Sequence, residues 1–417
     1  MKIKKVHIEY LCVFIGVLGM GSLYFQVLRM PIMAVMLLGA AFMMGYYNNF
    51  QLTKSNFNLY MGLIAALVLT SIINYKNGFR VNDLIILLAN VAYVVMLQDF
   101  ISFRKFTKIY TQIMLLEAAI SLICFIWGDI LGKSIPLMHL EFNGLNGFYL
   151  TPFYTLGWAN IPVFGRNAGM FNEPGSHQIF LNFALLFLLC DEDNFDMKAS
   201  KYRMSIMLLI ITIFTTLSTT GFICLGVVLL TVSLKKKEND RNTKLKLAVL
   251  VLLIILFIVE SQTGVIQTKI AGRDSGGSFY TRYNDTLGGF TSAFQKPIAG
   301  IGYFSANKTE ALQRYGIVNI SNGLASFAMN AGVIITIAIL IMMFKNIGKK
   351  MPYGVVFTIG VFVFYFLCVN SEGVFMNLLF LSMLGEWNTG GLIRDEVRKI
   401  IEKMLASFSH NEKWVIA

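Results

Sequence analysis

The sequence predicts an all-α polytopic membrane protein of about 12 transmembrane helices with two long outer-face loops. Three observations carry that expectation. The 417 residues are 56% hydrophobic and only 14% charged, against roughly 25% charged in a soluble domain. Apolar runs recur at lengths near the roughly 20 residues a helix needs to cross about 30 Å of hydrocarbon. Lys and Arg gather in alternate connections, as the positive bias of cytoplasmic loops requires.

In chain order the expected crossings cover residues 8–28, 31–47, 57–75, 81–97, 107–127, 176–190, 204–217, 221–234, 245–259, 319–344, 352–369 and 373–387. The first follows the basic start Met1-Lys2-Ile3-Lys4-Lys5. It is too long for a signal peptide and has no small-x-small cleavage site, so it reads as a retained helix. The seventh and eighth are short, and charge makes them two. Segments 191–203 and 235–246 each carry several positive charges, so both face the cytoplasm and an even number of crossings separates them. A hairpin turning at Ser218-Thr219-Thr220-Gly221 meets that condition.

Both termini then lie inside, with most of the 35 Lys and Arg on the cytoplasmic side. The net charge of +12 is thus an orientation signal, and no nucleic-acid partner is expected. A single transmembrane domain covers residues 1–390, with outer loops at about 128–175 and 260–318. Loops of this length are usually functional, and their aromatic and glycine content argues against disorder. Residues 391–417 form a cytoplasmic tail. In it Ile393, Val397, Ile400, Ile401 and Met404 share one helical face, suited to the inner membrane surface. The five cysteines sit in or beside apolar runs at no metal-ligand spacing, and with only four histidines no metal site is expected.

Chemistry-bearing residues concentrate in the stretch "FGRNAGMFNEPGSHQ", between the first outer loop and the sixth helix. Asn172 or Ser176 can cap that helix, and Pro174 suits its first turn because it lacks only an N–H that would be orphaned there. A well-made helix start leaves Arg166 unexplained. An arginine beside a helix N-terminus makes an anion site, with phosphate the natural occupant. Glu173 and His177, four apart, can share a helical face and supply a base or a partner for that arginine.

The second outer loop repeats the theme. Arg273 and Arg282 flank a flexible Asp-Ser-Gly-Gly-Ser, and Arg282 opens "RYNDTLGGFTSAF", an amphipathic helix with Tyr280 and Tyr283 beside it. Arginine suits bidentate contacts to phosphate. Glu117 lies mid-way along the fifth helix, where a carboxylate must face the protein interior. Glu260 and Glu372 sit at outer helix ends, and Glu372 is kept as a contributor to the site.

Four local matches within residues 165–332 resemble the O-antigen and capsule polymerase (Wzy-type) and O-antigen ligase superfamily. They are Arg-x-x-Gly-x-Phe-x-x-Pro at 166–174, a Ser/Thr-Gly turn at 218–221, an Arg-rich loop ending "FQKPIAGIG", and "SNGLASFAMNAG". The resemblance implies a membrane glycosyltransferase of GT-C-like architecture that needs no cofactor, metal or nucleotide sugar. It also implies a site in the bacterial cytoplasmic (inner) membrane. Its substrates would be undecaprenyl-diphosphate-linked oligosaccharides, and its working partners a chain-length regulator and a flippase. Arg166, Arg273, Arg282, Glu173 and His177 would be catalytic; Asn172, Tyr280, Tyr283, Asn322 and Glu372 would bind substrate.

Ligases of this superfamily resemble one another in a histidine where this chain has Ser321-Asn322, and the hairpin turn often carries Ser-Arg where it has Ser218-Thr219-Thr220. That difference favours a polymerase over a ligase. A flippase or other transporter is the rival class. It would line a path through the bilayer with polar groups, whereas the arginines here lie in outer loops.

The charge pattern fixes a topology that labelling tests. In a cysteine-free background, Ser275→Cys should react with an impermeant thiol reagent from outside and Asn239→Cys only from inside. Reaction of both from one side would rule out the expected crossing number.

Overall fold

Long apolar runs that lack water to pair with satisfy their backbone groups internally, as helices. The computed structural model of the chain describes residues 4–23, 30–133, 138–142, 145–151, 153–158, 161–162, 165–191, 200–235, 278–313, 320 and 322–388. Its first third holds α1 (Lys5–Gly19), α2 (Met30–Tyr47), α3 (Lys54–Ile73), α4 (Val81–Phe100) and α5 (Phe103–Phe125), which a π turn extends over Ile126–Ile130. Among the described residues, Lys54–Ile73, Val81–Phe100 and Phe103–Ile130 are long and apolar enough to cross a membrane. Their outward faces are apolar as well: Leu69, Leu116 and Ile123 are 55%, 55% and 67% exposed. A continuous apolar exterior of this kind suits a lipid surface, because water would drive it inward.

At the centre lies α6 (Pro174–Cys190), buried continuously from Ser176 to Leu189. It has no polar face to turn outward, so it belongs at the core. Around it pack α5, α7 (Ser200–Thr215) and α8 (Thr219–Ser233). The expected hairpin between α7 and α8 turns through Leu217 at φ +46°, and the Ser218 hydroxyl caps α8 by accepting from the Gly221 N–H at 3.3 Å.

Three features depart from the sequence expectation. The loop expected at about 128–175 carries a four-stranded antiparallel meander, β1 (Met138–Phe142), β2 (Leu145–Thr151), β3 (Tyr154–Trp158) and β4 (Ile161–Pro162), so the described chain is mostly but not wholly helical. The run 319–344 is not one helix. It divides into α11 (Gly323–Ala331) and α12 (Val333–Lys350) at Gly332, whose φ is +91° and whose missing Cβ would lie 2.7 Å from the Pro297 carbonyl oxygen.

The run 373–387 is not a spanning helix either. After α13 (Val355–Ser371) it forms only the four-residue α14 (Leu378–Leu381), buried against the core. Side chains add to its interrupted backbone pairing. The Tyr60 hydroxyl donates to Leu381 at 2.6 Å, Gln98 Nε2 to Ser382 at 2.8 Å and Asn56 Nδ2 to Glu386 at 2.7 Å. Irregular backbone is tolerated at such depth only when protein groups satisfy it.

In the second of the two expected long loops α9 (Ser278–Gln295) takes up the expected amphipathic stretch, followed by α10 (Lys308–Gln313). Its small and polar side, with Asp285, Gly289, Ser292 and Ala293, packs toward α11, while Tyr283, Leu287 and Phe294 stay exposed. The expected crossing at 245–259, Arg273, Glu260, Ser321 and the tail 391–417 lie outside the described residues.

The break at Gly332 is a backbone requirement. Gly332→Ala should destabilise the protein by about 1–3 kcal/mol through strain at positive φ, seen as a lower Tm in detergent. Gly39→Ala, where a Cβ meets nothing within 4 Å, should leave Tm unchanged or raise it. Equal Tm values for the two variants would show that the break does not depend on Gly332.

Candidate functional site

The loop ahead of α6 is held by a buried acid–imidazole contact. His177, in the first turn of α6, places Nε2 3.0 Å from Oε2 of Glu117 on α5, and both side chains are fully buried. His177 Nδ1 faces the Asn167 carbonyl oxygen at 3.1 Å. A carbonyl only accepts, so Nδ1 carries a hydrogen, which leaves one proton to be shared between Nε2 and the carboxyl group. Either arrangement is neutral as a pair, which is what permits burial of both groups. Phe171 stacks on the imidazole with ring centroids 5.6 Å apart.

Glu117 Oε1 accepts from the Met170 N–H at 3.2 Å, and Asn167 Oδ1 from the Gly169 N–H at 2.9 Å. Asn167 reaches the α7–α8 hairpin through its own N–H to the Thr215 carbonyl at 2.9 Å and its Nδ2 to the Thr215 hydroxyl at 3.1 Å. The Gly169 carbonyl accepts from Thr155 of β3 at 2.8 Å. Gly169 has φ +56°, and a Cβ there would lie 2.1 Å from Glu117 Oε1. Nearly every backbone group from 167 to 170 is thus committed to a named partner. The segment is a rigid platform on which Arg166 is carried.

Arg166 is half-buried and donates from Nε to the Thr216 carbonyl at 3.1 Å, which aims its guanidinium along the hairpin turn. Asp129, just after α5, closes the other side: it accepts from the Gly165 N–H at 3.0 Å and from the Tyr154 hydroxyl. Burial, and then the adjacent Asp129 carboxylate, push the Tyr154 phenol well above its ordinary value.

Several expected relationships are rearranged. Glu173, and neither Asn172 nor Ser176, occupies the N-cap position of α6, with Pro174 at the first helical position. Its carbonyl accepts from the Ser176 and His177 N–H groups, and its side chain is exposed. Glu173 and His177 therefore do not pair: the carboxylate partner of His177 is Glu117, sixty residues earlier on another helix. The start of α6, which the sequence offers to a phosphate, faces the chain's own Glu372. A Cβ on Gly175 would lie 2.0 Å from Glu372 Oε1.

Asn322 caps α11, accepting from the Ala325 N–H at 3.0 Å while Nδ2 donates to Thr286 of α9 at 2.9 Å and to Asn370 of α13 at 3.1 Å. Arg282 lies one helical turn before Thr286 on α9, and Tyr280 lies in the first turn of that helix. Tyr283 is exposed, and Asn172 is half-buried between the loop and α6. Gly323 packs directly on the Glu372 carbonyl, so one short segment touches the starts of both α6 and α11.

The four sequence stretches are thereby contiguous. The Arg166 loop is bonded to the 215–218 turn. The turn at Gly300–Gly302 is bonded to α11 through Ile301 N–H to Met329 O and Gly302 N–H to Asn330 O. Glu372 joins the two halves. Sequence reasoning left Asn167 out of the site, and it weighed Glu117 without a partner. The available signal was a lone carboxylate inside an apolar helix. No protein-family model matches the chain, and no curated protein sequence matches it.

Removing one member of a buried ion pair typically costs about 3–5 kcal/mol because the other is left uncompensated. Glu117→Ala and His177→Ala should each lower stability on that scale in detergent unfolding. The double variant Glu117→Ala with His177→Ala should lose clearly less than the two single losses added together. Strict additivity would mean that the two groups do not hold the loop as a unit.

Proposed function

We propose that the chain is a polysaccharide polymerase that joins undecaprenyl-diphosphate-linked oligosaccharide repeats on the outer face of the bacterial cytoplasmic membrane. The observation that carries this reading is the contiguity of the Arg166 loop, the 218–221 turn, the Gly300–Gly302 turn and α11. Residues far apart in sequence, each part of the pattern that resembles such enzymes, are linked in two bonded pairs, and Glu372 joins the pairs at the starts of α6 and α11. The expected orientation places that loop outside and both termini in the cytoplasm.

In the proposed reaction a hydroxyl oxygen of the incoming repeat bonds to the anomeric carbon of the lipid-linked chain. The bond from that carbon to the diphosphate oxygen breaks, its electron pair leaves with undecaprenyl diphosphate, and the hydroxyl proton passes to a base or to water. Charge grows on the departing diphosphate, and arginines are the residues suited to meet it. Arg166 is the principal candidate, with Arg282 and Arg273 joining from the second outer loop.

Loss of one such preorganised donor typically lowers a rate about 10²- to 10³-fold. The exposed Glu173 carboxylate is the accessible base. His177, buried on Glu117, serves as a positioning residue for the loop. A good leaving group lessens the need for any strong base.

Deletion of the gene, followed by a gel of the surface polysaccharide, separates this function from its rivals. Where the polysaccharide is lipid A-linked, loss of a polymerase should abolish the ladder and leave a single-repeat band. Loss of a ligase would remove that band and leave long chains on the carrier lipid, and loss of a flippase would trap single units at the inner leaflet. Complementation with Arg166→Lys, which keeps the charge but not the bidentate fork, should restore little ladder despite normal membrane abundance. A normal ladder in the deletion strain, with no second polymerase gene present, would overturn the assignment.

A further inference from the structure

Apart from the arginine-bearing loop, a cavity of about 280 Å³ opens between α4, α11 and the segment 303–308. One wall is a face of α4, with Asp83 and Asn90 two turns apart; another is the face of α11 that carries Gly323, Ser326 and Asn330. Asn330 is 6% exposed, and its Nδ2 donates to the Ser326 carbonyl at 2.7 Å. Among the described residues neither Asn330 Oδ1 nor Asn90 Oδ1 has a hydrogen-bond partner, although both atoms are buried. A buried carbonyl oxygen without a donor is costly, and two residues that line this one cavity each carry such an oxygen.

The remaining lining narrows the chemistry. Lys308 closes the mouth by pairing with Asp83 at 3.4 Å, so the cavity's one cation among the described residues already faces a carboxylate. Burial pulls the Lys308 ammonium below its ordinary value, a shift that Asp83 opposes. Acceptors dominate, and a phosphate would meet two amide oxygens and Asp83. The third wall is aromatic: Tyr303 and Phe327 have ring centroids 5.5 Å apart, and Phe327 and Phe375 4.8 Å.

Convergent acceptors with an apolar ring face fit a ligand that presents hydroxyls at its edge and C–H groups on its face. The volume is near the lower end, about 300 Å³, of small-ligand sites, which limits the occupant to a single ring.

We propose that this cavity is a sugar-binding subsite that takes one hydroxyl-rich pyranose ring through Asn90, Asn330 and the aromatic wall. Its placement rests on the polymerase reading: Gly323 and Gly373 form its inner edge, and both adjoin Glu372, whose carboxylate lies against the start of α6. On that reading the cavity holds a ring of a repeat unit while the arginines engage the diphosphate. The two chemistries occupy separate places.

The test uses the purified full-length protein in nanodiscs and a panel of methyl hexosides and methyl N-acetylhexosaminides, with inorganic pyrophosphate as the contrasting probe. Saturation-transfer NMR should detect at least one methyl glycoside on the wild type. Asn90→Leu should weaken that binding roughly tenfold, the scale of losing a buried acceptor, while pyrophosphate should not compete for the site. If Asn90→Leu does not fold, Ser326→Cys in a cysteine-free chain should be shielded from a thiol reagent by the same glycoside.

Absence of glycoside binding to the wild type, unchanged binding in Asn90→Leu, or no shielding of Ser326→Cys would overturn the subsite. Glycoside binding that depends on Asn90 upholds the subsite even where the deletion strain keeps its ladder. A lost ladder without such binding removes the subsite and leaves the polymerase reading standing.

Discussion

The contact between Glu117 and His177 is the constraint on which the arrangement of the Arg166 loop turns. Two ionisable groups with no exposed surface can coexist only if they share a proton and satisfy their remaining atoms. The atoms that satisfy them are backbone groups of a single loop, Asn167 O and Met170 N. A requirement of charge burial is thereby converted into a fixed backbone path from Asn167 to Met170, just ahead of α6. Arg166 inherits its position from that path, since its neighbour Asn167 is tied to both the imidazole and the α7–α8 hairpin.

The same rule, that no polar group be left dry, explains the irregular interior. Between Ser371 and Asn388 the backbone gives up helical pairing, and Tyr60, Gln98 and Asn56 reach in from α3 and α4 to replace it. Asn377 adds to this by capping α14, accepting from the Leu379 N–H, and by donating to the Met20 carbonyl. These amides are spread over distant helices, so the non-helical segment also cross-links them. It delivers Glu372 to the point where α6 and α11 begin.

Around that point the surroundings divide by charge. On one side a loop presents an arginine beside the hairpin turn; on the other, a cavity gathers amide oxygens, a carboxylate and aromatic rings. A substrate that joins a diphosphate to a sugar would need both kinds of surroundings. Neither place alone would accept both ends of such a molecule without leaving charge or hydroxyl groups uncompensated.

By itself the sequence determined the features that composition and local periodicity control. Apolar length identified α2 to α8 and α13 to within a few residues, the turn at Ser218–Gly221 came from the charge on its flanks, and Pro174 marked the start of α6. It also showed that Glu117 must face inward. Tertiary structure alone decided what Glu117 faces, because a partner sixty residues away leaves no trace in spacing. It decided the break at Gly332, where another segment's backbone approaches too closely for a side chain, and the unwinding of 373–387, where hydropathy favours a helix but distant amides satisfy a different path. It decided the small β-meander, whose ladder depends on strands pairing across turns. Apart from the meander, whose strands pair across short turns, each of these is a contact between residues remote in sequence, and local pattern carries no information about such contacts until the chain has folded.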